Sequence, residues 1–251
     1  MRHQRLYRTP AVVLKRMDLG EADRIVTFFS RDVGKVKAVA RGVRRTTSRS
    51  AGHLEPFTLT DVLFAVGREL DVVSQAATVE AFREVREDLT LATHAYYLAE
   101  MVDALTEERM ENRAAFITLT DGLGALCGGA DPRLVLVSFH LRLMEALGYR
   151  PELRECLSCR AEIAPRENYF SAAAGGVLCP ACGPREAAAH PIDVPTLKLL
   201  RFVQHRHTHG GLNVPAEVAR EAEALLRTYA EYLVERRLRS PALIARLSGL
   251  Q

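Results

Sequence analysis

Four cysteines stand in two pairs, Cys156-Leu-Ser-Cys159 and Cys179-Pro-Ala-Cys182, with nineteen residues between the pairs. A CxxC pair turns tightly enough to aim two sulfurs at one ion, and two such pairs at this separation predict a tetrahedral Zn2+ site. Four thiolates fill the tetrahedron and leave no position for water or substrate. The spacing therefore predicts one structural zinc that staples the chain and not a Lewis acid. Two disulfides are the competing arrangement, which a reducing compartment disfavours. The fifth cysteine, Cys127, falls in an apolar helical stretch and reads as a plain buried thiol.

A second group of residues could hold a polyanion. Gly34 to Arg49 carries Lys35, Lys37, Arg41, Arg44, Arg45 and Arg49 and no acid. Its first half alternates apolar Val36, Ala38 and Ala40 with basic residues, the pattern of a half-buried strand with one cationic face. Its second half mixes arginine with Gly42, Thr46, Thr47 and Ser48 and reads as a mobile loop. Phosphates recur along a nucleic-acid strand, and arginine forks match their oxygens. A solubilising surface is the bland alternative, but such surfaces interleave both signs. Here residues 1–50 hold thirteen Lys and Arg against four acids, whereas residues 80–113 hold nine acids against four arginines. The net charge of +3 hides that segregation, which points to a polyanion partner for the N-terminal part.

Catalytic patterns are poor by comparison. His53-Leu-Glu55 and Cys179-Pro-Ala-Cys182 mimic a nucleotide deaminase, but no proline precedes Cys179 and the other CxxC pair claims the metal. His205, His207 and His209 alternate, which points neighbours apart on a helix, and no carboxylate pair accompanies them. The expectation is a protein that is not an enzyme and has no small-molecule substrate.

The elements that must position these residues follow from periodicity. Residues 9–79 read as all-β, with short strands at Ala11–Lys15, Arg24–Phe29, Val36–Ala40, Phe57–Val66 and Leu70–Ser74. Five strands with a long connection between the third and fourth suit a five-stranded oligonucleotide-binding (OB) barrel, and an SH3-like barrel fits the counts nearly as well. From Ala81 the period becomes helical: 91–105 with Thr90 as a candidate N-cap, 113–126 capped by Asn112, and a third helix opened by Asp131-Pro132. After the cysteines, helices are predicted at 196–205 and 216–238, with a short last one after Ser240-Pro241. Gly175-Gly176 suits a β-turn feeding the second cysteine pair. The fold class is thus α+β and multidomain. An OB-type barrel spans 1–79, a helical-bundle domain spans 80–150 and 184–251, and a four-cysteine zinc module is inserted at 151–183. No run of about 18 apolar residues crosses a membrane, and no signal peptide is recognised, so a cytoplasmic location is expected.

Residues spread over most of the chain resemble RecO-type DNA repair and recombination mediators of bacteria. At the N-terminus they are Leu14, Glu21-Ala-Asp23-Arg24-Ile25, Phe28, Gly34-Lys35, Ala40-Arg41-Gly42, Arg44-Arg45 and Ser48-Arg49, then Leu54 and Pro56-Phe57. In the middle, Phe139-xx-Arg142-Leu143-Met144-xx-Leu147-Gly148-Tyr149-Arg150-Pro151 runs into Cys156-Leu-Ser-Cys159, and Gly175-Gly176-Val-Leu-Cys179 closes the match. The last 60 residues are similar only in being helical. The resemblance implies an OB barrel, a helical middle and, in many members, a zinc module. It further implies binding of single- and double-stranded DNA, annealing of complementary strands, and help in loading a RecA-type recombinase. The implied partners are a RecR-type protein and the acidic tail of single-strand-binding protein, in a cytoplasmic, nucleoid-associated setting. An annealing surface must neutralise phosphates without gripping bases, and 6% aromatic residues with no Trp suit that demand. The alternative is a zinc-stapled adaptor that binds acidic partner tails, with Arg236, Arg237 and Arg239 as candidate contacts.

Overall fold

A computed structural model of the chain describes residues 5–206 and 212–235, together with 238, 240 and 244. Of the residues considered above, His207, His209, Arg236, Arg237 and Arg239 lie outside that set, as does most of the helix expected after Ser240. No helix among the described residues is long and apolar enough to cross a membrane. The chain divides into two compact units, residues 1–127 with 239–251, and residues 128–238.

The first unit opens with five strands, β1 (Leu6–Leu19), β2 (Asp23–Ser30), β3 (Gly34–Ala40), β4 (Leu59–Ala65) and β5 (Asp71–Glu80). They close into a barrel in the order β1-β2-β3-β5-β4, with β1 also pairing β4. All pairings are antiparallel except β3 with β5, which is parallel and covers only Ala38↔Asp71 and Val39↔Val72. This is the five-stranded OB-type barrel, and its strand order decides against the SH3-like alternative. Period-two alternation sends Ala11, Val13, Val26, Phe28, Val36, Ala38, Val62 and Phe64 into the barrel core. Phe28 and Phe64 meet edge to face at 5.2 Å. Val12, Leu14 and Phe29 face outward yet are equally buried, and α2 (Leu89–Leu105) packs against β1.

Helices α1 (Glu84–Glu87), α2 and α3 (Arg113–Cys127) complete this unit. Asp88, not Thr90, caps α2: its side chain accepts from Leu91 N, because a carboxylate one residue before the first turn reaches the free N–H groups. Asn112 caps α3 as expected, accepting from Ala115 N at 2.9 Å. Tyr97 is fully buried, whereas Tyr96 is exposed and packs edge to face on Phe57.

The second unit holds α4 (Pro132–Ala146), a three-stranded sheet, α5 (Val194–Arg206) and α6 (Ala216–Leu233). Asp131 caps α4 with Pro132 in its first turn. The sheet has the order β7-β6-β8, from β6 (Asn168–Ser171), β7 (Gly176–Leu178) and β8 (Ala189–Ile192). Its hairpin turns at Gly175, whose φ of +84° only glycine adopts readily. The helices expected at 80–150 are therefore shared: α1–α3 belong to the barrel's unit and α4 to the unit that carries the cysteines.

Candidate nucleic-acid interface and metal centre

The six basic residues from Lys35 to Arg49 meet three different fates in the structure. Lys35 is only 8% exposed. Its Nζ donates to the carbonyl oxygens of Asp103 and Thr106, both at 2.6 Å, and lies 3.5 Å from the Asp103 carboxylate. Burial pulls its pKa below the ordinary lysine value, against the opposing pull of Asp103. The expectation that Lys35 contacts a polyanion is thus corrected. Its alternation phase is that of an outward-facing residue, but the outer face of β3 at this point is covered by the chain that follows α2. Lys37 reaches the surface and forms an ion pair with Glu108, whose hydrogen bond raises the lysine pKa.

Arg44 donates to the Gly20 carbonyl at 2.8 Å and pairs with Asp18 at 3.4 Å, so it ties the third-strand loop to the β1–β2 turn. Arg24 holds the same aspartate at 2.9 Å, and its hydrogen bond, with Arg44 nearby, keeps the Asp18 carboxyl below the usual carboxylate range. Arg41, Arg45 and Arg49 are exposed, and none forms an ion pair with a described residue. One loop thus carries three exposed guanidinium groups without an ion pair among the described residues.

The start of that loop, which its composition suggests is mobile, is tied to the barrel. Gly42 N donates to the Asp23 carboxylate at 2.7 Å and Arg44 N to the Ala22 carbonyl at 2.9 Å. Val43 is buried in the barrel core together with Leu54, from the short 3-10 turn at Ala51–Leu54. An apolar side chain among arginines acts as an anchor here, and the polar residues around it obscured that in the sequence. The arginines are consequently presented from a fixed base at the end of the barrel.

A further cluster is invisible in the sequence. Asp71, with 1% of its surface exposed, accepts from the Tyr7 hydroxyl at 2.5 Å, from Arg109 at 2.7 Å and from Gly67 N at 3.1 Å. Arg109 also donates to the Tyr7 hydroxyl at 3.0 Å. These residues are 102 positions apart at the extreme, and no local pattern links them.

In the second unit the four cysteine sulfurs lie within 4.8 Å of one another. Zn–S bonds of about 2.3 Å in a tetrahedron put sulfurs about 3.8 Å apart. The Cys159 and Cys179 sulfurs are separated by 3.8 Å, far beyond the roughly 2.05 Å of a disulfide bond. Backbone geometry also prepares the site: Cys179 N donates to the Cys156 sulfur at 3.3 Å, as expected around a thiolate. Burial works against the Cys156 thiolate, but N–H groups of Cys159, Cys179 and Ser158 outweigh it and bring the thiol down to about 6. The Ala161 N–H favours the Cys159 thiolate, yet the three neighbouring sulfurs push that thiol up to about 11. Four sulfurs this close ionise together only when a cation offsets their charge, so the donor set suits a soft divalent ion.

The cysteine module is held from behind. Arg201 on α5 donates to the Leu153 carbonyl at 2.8 Å and the Ile163 carbonyl at 3.1 Å. Gln204 donates to the Pro151 carbonyl at 2.9 Å, and Tyr229 on α6 packs edge to face on Phe170. Cys127, by contrast, is partly exposed; burial and the Glu84 carboxylate push its thiol up to about 11, so it is neither a ready thiolate nor part of the cluster. His205 is exposed at the end of α5.

Known proteins share this sequence along its length. Residues 1–82 match the family described as Recombination protein O N terminal, and residues 86–242 match Recombination protein O C terminal. The chain is 43% identical over 242 residues to the DNA repair protein RecO of Roseiflexus sp. (strain RS-1), covering 96% of this chain and 85% of that one. It is 39% identical over 246 residues to DNA repair protein RecO of Pelotomaculum thermopropionicum, covering 96% and 94%. A RecO of Dehalococcoides mccartyi is 33% identical over 232 residues, covering 92% and 91%. With both halves of the sequence matched in order and relatives aligned over nearly their whole length, the chain belongs to the RecO family of DNA repair proteins.

Proposed function

We propose that this protein is a DNA-binding recombination mediator that holds single- and double-stranded DNA by the backbone, anneals complementary strands and helps to load a recombinase. The observation that carries this reading is the set of exposed guanidinium groups of Arg41, Arg45 and Arg49, without an ion pair among the described residues and rooted on the end of an OB-type barrel. Arginines without internal carboxylates release counterions when they meet phosphates, and the binding is blind to sequence. Arg44 adds positive charge beside them while remaining tied to the β1–β2 turn. Lys35 is buried and Lys37 is paired with Glu108 at the surface, and both fall outside the contact set.

The loop that carries these arginines has no aromatic residue on which a base could stack, which suits annealing: bases left free remain able to pair. The four cysteines, Cys156, Cys159, Cys179 and Cys182, would hold one zinc ion that supplies no catalysis and fixes the module's fold. We assign the protein no chemical turnover. Its partners, on this reading, are a RecR-type protein and the tail of single-strand-binding protein, in the cytoplasm with the nucleoid.

The decisive experiment is an annealing assay on complementary oligonucleotides, bare and coated with single-strand-binding protein. Faster duplex formation in both cases, weakening with salt, is expected. Absence of any acceleration at low salt, with no mobility shift of either strand, overturns the reading.

A further inference from the structure

β3 and β5 pair through two residues only, which leaves the N-terminal half of β3 without a strand on that side. The segment after α2 fills the place. Glu108 forms a parallel bridge with Lys35, and Arg109 N donates to the Lys35 carbonyl at 3.0 Å. Behind it, the Met110 carbonyl lies directly over Gly34, where a Cβ would collide with it. The segment is pinned at its far end by Arg109, through Asp71 and Tyr7, and by Arg113, whose guanidinium reaches Asp32 at 3.2 Å.

The last turn of α2 and the segment after it are acidic, and their carboxylates meet cations of β1 and β3. Asp103 takes Lys15 at 2.5 Å and Lys35 at 3.5 Å, and Glu108 takes Lys37. Glu107 is exposed beside them with no cation of its own among the described residues. The side of an OB barrel that its second and third strands form is one such barrels offer to oligonucleotides. Here the two lysines of that side, Lys35 and Lys37, both lie against carboxylates, whereas the loop with Arg41, Arg45 and Arg49 carries guanidinium groups alone.

We propose that the segment Asp103–Glu111 is a built-in acidic guard, which occupies the β3 side of the barrel, neutralises Lys37 and confines a phosphate backbone to the arginine loop. The inference rests on the DNA-binding reading above and adds a restraint to it. The guard shortens the cationic track that one strand can engage. Each engaged phosphate adds to affinity, so a shorter track gives weaker, more easily reversed binding, which strand exchange between partners requires.

The test is a fluorescence titration of a labelled single-stranded oligonucleotide at several salt concentrations. The proteins compared are the wild type, Glu107→Gln, Lys37→Gln, Glu107→Gln with Glu108→Gln, and that double variant carrying Lys37→Gln as well. Removing the carboxylates should tighten binding about 3–10-fold at low salt and steepen the log–log salt slope by about 0.7, the value for one more phosphate on a single strand. Lys37→Gln should abolish that gain in the double variant while costing under about twofold in the wild type, where the lysine is already paired. Glu107→Gln alone breaks no bond among the described residues and should give part of the gain, so the outcome does not hang on Glu108's bridge to Lys37. Wild type and double variant binding equally tightly, with equal slopes, would overturn the guard and leave the DNA-binding reading intact. If neither protein binds, both readings fall; if only the neutralised variant binds, the guard is supported in its strongest form.

Discussion

The Lys35 ammonium lies 2.6 Å from the Thr106 carbonyl oxygen, which fastens the end of α2 to the third barrel strand. A lysine that reads as a DNA contact is therefore a structural post. Lys35→Met should destabilise the first unit by about 2–3 kcal/mol, because two buried carbonyls and part of the Asp103 charge lose their partner. DNA affinity of the folded fraction and its salt slope should not change. Denaturant unfolding read beside the titration checks both halves of the statement.

Arg45→Glu combined with Arg49→Glu should weaken binding to any DNA sequence to a similar degree. It should flatten the salt slope by about 0.7–0.9 for each phosphate no longer neutralised. Both side chains are exposed and without an ion pair among the described residues, so the melting temperature should stay within a degree or two. An undiminished slope in the folded double variant would remove this loop from the interface.

Reduced protein prepared without chelator should carry one zinc per chain by mass spectrometry. Stripping the metal, or Cys159→Ser, should speed hydrogen exchange between residues 153 and 185 while barrel amides keep their protection. The thiolates then repel one another with no cation among them, and the knuckles open locally. Metal content near zero in such a preparation would contradict the assignment.

Gly34 has φ +73°, and a methyl group there would enter the Met110 carbonyl. Gly34→Ala should cost about 1–3 kcal/mol of stability in the first unit, from backbone strain and the displaced segment together. A thermal melt comparable to wild type would show that the segment at Met110 does not pack on the barrel as described.

His140 is fully buried on α4, and burial pulls its pKa down to about 4, with Arg227 adding to the effect. A histidine whose folded pKa is depressed binds its proton more readily when unfolded. Its contribution is therefore neutral above pH about 6.5, and stability falls as pH drops from there towards 4. The loss should approach about 2–3 kcal/mol for the second unit, since each tenfold drop in proton affinity on folding is worth about 1.4 kcal/mol. Urea midpoints between pH 7.5 and 4.5 measure it, and His140→Gln should flatten the slope.

The sequence by itself determined what depends on local spacing. Two CxxC pairs predicted a four-sulfur cluster, and the structure gathers those sulfurs. Alternation of Val36, Ala38 and Ala40 predicted the third strand, and turn residues around five apolar runs predicted the barrel. Asn112 and Asp131 announced their helices because a cap acts within three residues. The motifs from Glu21 to Cys179 already pointed to the family.

What the tertiary structure alone decided is which cations are free. Lys35 and Arg45 look alike in the sequence, as basic residues in one acid-free run, yet one is enclosed by carbonyls as far as 71 residues away and the other faces solvent. The Tyr7–Asp71–Arg109 cluster and the grip of Arg201 on the cysteine module are likewise contacts between distant stretches. Charge pairing depends on distance in space and on burial. Periodicity reports only the direction a side chain leaves its own strand or helix, so it cannot tell what the rest of the chain has laid on top of it.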